Sequence, residues 1–191
     1  MRQRTVEKIE NLNTERERKQ RIIDNGEASE KRVRRLENQI SELDQRVSLL
    51  QRSINDIDLL SSDNRTYALR NINGGEHHVV LGDNDVIYIE TSSNAISLHE
   101  ISHIRQSLNG RGLIFDNRRL VNNGTTRNSI SANEIEAYKI QYSYDTSFPG
   151  GGGTLNGITI QSVGNIRNDR GEFVYPIIND YARELARTRR R

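Results

Sequence analysis

Asp85-Val86-Ile87-Tyr88-Ile89-Glu90, then Thr91-Ser92-Ser93-Asn94, then Ala95-Ile96-Ser97-Leu98-His99-Glu100-Ile101-Ser102-His103-Ile104 is the stretch on which the fold class turns. The first six residues are rich in β-branched and aromatic side chains and read as a strand. The next four offer hydroxyl and amide caps for a helix. Leu98, Ile101, Ile104 and Leu108 then recur at helical spacing up to the Asn109-Gly110 stop. A strand feeding directly into an amphipathic helix predicts an α+β domain.

Working outward, His77 to Leu81 reads as a second strand, joined to the first by a turn at Gly82-Asp83-Asn84. Asp85 to Glu90 is a possible sheet edge onto which an extended peptide adds. Leu113 to Asn123 suggests a short hairpin around Asn117-Arg118, and a second helix begins near Ser131. Pro149-Gly150-Gly151-Gly152-Gly153 marks a mobile loop. Ile158 to Val163 reads as a strand, and Tyr175-Pro176 precedes a closing helix.

Residues 1–60 have no proline, no aromatic residue and one glycine, Gly26. Val33, Leu36, Ile40, Leu43, Val47, Leu50, Ile54 and Ile57 follow an unbroken 3-4-3-4 spacing, a coiled-coil seam. Two readings are open. The β-branched a positions favour a parallel homodimer through residues 33–57, with Arg32 facing Glu37 and Arg46 facing Gln51 of a second copy. Alternatively Asp24-Asn25-Gly26-Glu27 turns the chain, and residues 4–23 fold back on the seam as a helical hairpin. Ser61-Ser62-Asp63-Asn64 is the expected boundary, giving a helical segment over 1–60 and a compact domain over 61–191.

Only 33% of residues are hydrophobic and the mean hydropathy is −0.79, so the apolar side chains must be concentrated in one compact part. The absence of cysteine excludes disulfides, thiolate metal ligands and a cysteine nucleophile. A net charge of +2, owed largely to Arg183, Arg187, Arg189, Arg190 and Arg191, is too small to point to nucleic acid. No run approaches the ~18 apolar residues of a membrane span, and the N-terminus lacks the apolar stretch of a signal peptide. The expectation is a soluble chain, cytoplasmic or secreted as an effector.

The motif His99-Glu100-Ile101-Ser102-His103 is HExxH, which places two imidazoles one helical turn apart with a carboxylate beside them. That spacing suits Zn²⁺, with His99 and His103 as ligands and Glu100 as the base that takes a proton from water. Gln106 and Asn109 stand where the extended metzincin pattern needs glycine and histidine, so that subgroup is excluded. No histidine follows His103, and a third downstream ligand must be a carboxylate. The best supply is Asn133-Glu134-Ile135-Glu136-Ala137-Tyr138. Ser131 and Glu134 also have the spacing of a capping box, which would leave Glu134 with a purely structural task. Tyr138, Tyr142, Tyr144, His77 and His78 are the neutral donors available to an oxyanion.

Glu134, directly after Asn133 and three before Ala137, resembles the gluzincin arrangement, in which a second helix delivers a glutamate to the zinc; Glu136 is the fallback. Where the thermolysin-like pattern has an aspartate, this chain has Tyr138, so the support of the histidine ligands must differ. The segment from about Ile87 to Tyr175 resembles the zincin-like metallopeptidase domains at the ends of bacterial polymorphic and RHS-type toxins. The resemblance implies a zinc metallopeptidase acting on a protein or peptide substrate, a delivery or immunity partner, and N-terminal helices that link or deliver. The alternative is a coiled-coil adaptor whose zincin-like domain is inactive and only binds.

Overall fold

The computed structural model describes residues 1–191 apart from 27, 75, 123, 152 and 189–191. Helices α1 (Arg2–Asp24) and α2 (Glu30–Ser62) lie antiparallel. Arg2 Nε donates to Asp58 Oδ1 at 2.8 Å near one end, and Lys19 Nζ donates to Gln39 Oε1 at 3.0 Å near the other. Gly26, at φ +70°, supplies the left-handed residue that the turn between them needs.

The chain therefore takes the fold-back reading. Leu36, Ile40, Leu43, Leu50 and Ile54 are all buried. Leu43 and Leu50 share a cluster with Leu12 of α1 and with Leu98 and Ile140 farther along the chain. The seam read as a dimer interface over 33–57 is thus filled from within. Arg46, expected to face a second copy, is buried instead and donates from Nε and Nη2 to the Ser143 carbonyl at 3.2 and 3.1 Å.

Strands β1 (Thr66–Asn71), β2 (Val79–Leu81), β3 (Val86–Thr91), β4 (Phe115–Asp116) and β5 (Arg119–Leu120) form one mixed sheet in the order β1-β3-β2-β5-β4. β2 and β3 pair antiparallel, with Val79 opposite Ile89, while β1 runs parallel to β3, with Thr66 opposite Val86. The segment 85–90 is therefore interior and not an edge. Its alternation fixes only which face is buried, with Ile87 and Ile89 inward, while β1 and β2 pair on its two edges. β1 was not legible, because Thr-Tyr-Ala-Leu-Arg-Asn has no clear apolar alternation and lies at the exposed rim. The β4–β5 turn is at Asn117 and Arg118, both at positive φ, as a two-residue hairpin requires.

Helix α3 (Asn94–Leu108) follows β3 with Ser93 as its cap, the Ser93 side chain accepting from the Ile96 amide. Ile101 and Ile104 pack on Val79, Ile87 and Ile89 of the sheet, whereas Leu98 packs on Leu43, Leu50 and Ile140. Each such buried aliphatic side chain contributes about 1.5–3 kcal/mol by leaving water. α3 is held between the sheet and the N-terminal hairpin, with helix α4 (Arg127–Asp145) alongside.

The C-terminal part departs from expectation once. Residues 158–163 contain no strand; a 3-10 turn at Leu155–Gly157 leads into α5 (Ile160–Gly164). Thr159 and Ser162 form a reciprocal capping box, and satisfying those amides outweighs the β preference of two isoleucines and a valine. α5 packs closely on α6 (Pro176–Thr188): a Cβ on Gly164 would sit 3.0 Å from Asn179 Cα, and Asn179 Nδ2 donates to the Gly164 carbonyl. Pro149 and Gly150 form a turn, while Gly152 of the glycine run and Arg189, Arg190 and Arg191 lie outside the described residues. No described helix is long and apolar enough to cross a membrane. The architecture is α+β, two N-terminal helices and a small mixed sheet.

Candidate metal centre

α3 and α4 pack side by side, and His99, His103 and Glu134 meet between them. The two histidines stand one turn apart on α3, beside α4, with their Nε2 atoms 3.1 Å from one another. Glu134 Oε2 lies 3.5 Å from His103 Nε2 and 3.9 Å from His99 Nε2. His99 and Glu134 are almost wholly buried, at 5% and 6% exposure. Ala137, three residues after Glu134 on the same face of α4, is buried as well.

The capping-box reading of Glu134 does not apply. α4 begins at Arg127, four residues before the expected start, under a capping box formed by Thr126 and Ser129. Ser131 is inside the helix, its hydroxyl donating to the Arg127 carbonyl. Glu134 is thus in the helix body. Glu136 points elsewhere: it accepts from Arg105 Nη2 at 2.6 Å and from Gln106 Nε2 at 3.0 Å, and pairs with Arg52 at 3.3 Å. Burial opposes its charge, but the bonds from Gln106 and Arg105 hold its pKa below the usual carboxylate range.

Two further contacts orient the trio. Asn122 Nδ2 donates to Glu134 Oε1 at 2.7 Å, and Asn122 is itself fixed by accepting from Asn133 Nδ2. The Tyr138 ring lies edge-on to His99 at 4.5 Å between centroids. Glu134 Oε2 and His99 Nδ1 are buried without a hydrogen-bond partner among the described residues. Such groups are costly to leave unsatisfied.

Charge in the site is divided. Burial and the neighbouring His103 push the His99 pKa down to about 3, so His99 is neutral. For His103, burial opposes the charge but the Glu134 carboxylate outweighs it, and the pKa is raised; for Glu134 the same pair lowers it against burial. Burial, with Glu134 nearby, pushes Glu100 up to about 8. In the bare chain a proton on His103 stands beside the Glu134 carboxylate, and the three donor atoms are of a kind and spacing that could hold a metal ion in the same place. Ligand atoms around a tetrahedral zinc with bonds of about 2.0–2.2 Å stand about 3.3 Å apart, close to the spacing found here.

The trio and Glu100 line a cavity of about 720 Å³ whose walls include His77, Val121, Phe148 and Tyr175. Among the expected oxyanion donors, Tyr138, His77 and His78 line it. Tyr142 donates to the Gly153 carbonyl and Tyr144 accepts from Asn94, so both are occupied elsewhere. Tyr175 was not anticipated; its hydroxyl lies 3.0 Å from that of Tyr138, and burial raises its pKa far enough to keep it a neutral donor. Gln106 was legible in principle, three residues after His103 on one helical face. Asn122 and Tyr175 carry no local signal, since only long-range packing brings them in. In comparisons with known proteins, no family model, no curated protein and no solved structure matches the chain.

Proposed function

We propose that this chain is a zinc-dependent peptidase with His99, His103 and Glu134 as metal ligands and Glu100 as general base. The reading is carried by one observation: three donor atoms from two helices, all within 4.8 Å of one another, at the wall of a cavity that Glu100 also lines. Zinc in such a site supplies polarisation of a carbonyl and a lowered pKa for water.

The chain's own groups do the rest. Glu100 takes the proton of the attacking water on its carboxylate and passes it to the departing amine. The Tyr138 and Tyr175 hydroxyls share a hydrogen bond, and the one that accepts in it keeps its own O–H to donate to a carbonyl oxygen as it gains charge. Val121 and Val174, both exposed, and Phe148 give the cavity apolar walls, which suits an apolar stretch of peptide.

Metal analysis of protein prepared without chelator should return one zinc per chain, and Glu100→Gln should keep that zinc while losing cleavage of a casein or peptide-library substrate. Protein without zinc would end the reading. An unchanged cleavage rate in Glu100→Gln would end the assignment of the base. The zincin-like toxin role rests on the same chemistry: expressed in a bacterial cytoplasm, the wild-type chain should arrest growth and Glu100→Gln should not.

A further inference from the structure

We propose that Gln106 is the positioning residue that presents His103 to the metal, and that Glu136 locks Gln106 in that role; this rests on the zinc reading above. Gln106 sits three residues after His103, and its side chain spans the two helices. Its Oε1 lies 2.9 Å from His103 Nδ1. Its Nε2 faces three oxygens, Glu136 Oε2 at 3.0 Å, the Asn133 carbonyl at 3.1 Å and Ser102 Oγ at 3.3 Å.

This settles which end of the amide is which. A reversed amide would press its oxygen against a carboxylate and a carbonyl, so the nitrogen must face Glu136 and the oxygen must face His103. The only group His103 can then offer to that oxygen is Nδ1–H. In the neutral imidazole a proton on Nδ1 leaves the lone pair on Nε2, the atom that points at His99 and Glu134. Gln106 thereby fixes both the ring angle and the tautomer of His103, the task an outer carboxylate or carbonyl performs in other histidine metal sites.

Glu136 makes the arrangement rigid. It is anchored by Arg105, which also approaches Asp56 of α2 at 3.6 Å, and by Arg52 of α2. The alternating donors and acceptors run from the N-terminal hairpin through Glu136 and Gln106 to His103. The acid that reads from sequence as a spare ligand thus serves the site from behind.

The test is zinc affinity by chelator competition, together with the visible spectrum of the cobalt-substituted protein. Gln106→Leu should weaken zinc binding about 10–100-fold. Glu136→Ala removes the acceptor that holds the Gln106 amide in this orientation, and should weaken zinc binding in the same direction by a smaller factor and alter the cobalt spectrum. Long-range proton–nitrogen spectra of the zinc-loaded wild type should show His103 protonated on Nδ1. Wild-type affinity in a folded Gln106→Leu would overturn the proposal. Wild-type affinity and cobalt spectrum in Glu136→Ala, in a chain with the wild-type circular dichroism, would overturn the part given to Glu136. A wild-type chain that binds no zinc would instead remove the metal reading itself.

Discussion

Glu100 carries two testable properties that separate its chemistry from its burial. In the metal-free chain its folded pKa is about 8, against about 4.5 when unfolded. The folded state therefore retains a proton that the unfolded state has released. The stability this contributes is complete below the unfolded value and is lost as pH rises toward 8. Metal-free Glu100→Gln should accordingly lose less stability than wild type in urea unfolding compared at mildly acidic and mildly alkaline pH. Parallel curves for the two proteins would show that Glu100 is not protonated when folded. Glu134→Gln removes the anion that raises the His103 pKa, so burial should leave that imidazole neutral, and the variant should lose stoichiometric zinc binding. His99, His103 and Glu100 were legible because one helical turn fixes their separation. Glu134 was legible as a residue type and helix position, while its approach to the histidines was not.

At the scale of elements, caps decide boundaries that periodicity leaves loose. Thr126 and Ser129 start α4 four residues before the Ser131 position suggested by the sequence, and that displacement converts Glu134 from a possible cap into a side chain of the helix body. Thr126→Ala should cost about 1 kcal/mol in chemical unfolding, with zinc stoichiometry unchanged. A loss of zinc would mean that the α4 terminus, and not its body, positions Glu134. Leu98→Ala, which opens space between α3, α2 and α4, should cost about 2–5 kcal/mol. Residues 158–163 show the same competition, since a hydroxyl capping box at Thr159 and Ser162 overrides a β-branched run. β1 escaped because an edge strand can be half solvated and need not alternate.

Over the whole molecule, the N-terminal hairpin belongs to the core that backs the site. Leu43 and Leu50 cover Leu98 and Ile140, Arg46 ends on the Ser143 carbonyl, and Arg52 and Asp56 reach the Glu136–Arg105 pair. A chain lacking residues 1–62 should lose cooperative thermal unfolding, measured by circular dichroism; a sharp transition at the full-length midpoint would show that the remainder folds alone. The sequence by itself determined the seam, the strand leading into the α3 helix, and the placement of two histidines and a glutamate on one helical turn, because each depends on backbone periods of two or 3.6 residues. Only the tertiary structure decided that the seam closes within the chain, that segment 86–91 is interior, and that Glu134 rather than Glu136 faces the histidines. Those outcomes depend on which surfaces meet between residues some thirty to one hundred positions apart, as Glu134 with His103 and Arg46 with Ser143 do. Local periodicity specifies which face of a helix is apolar, but burial against a particular neighbour selects its partner.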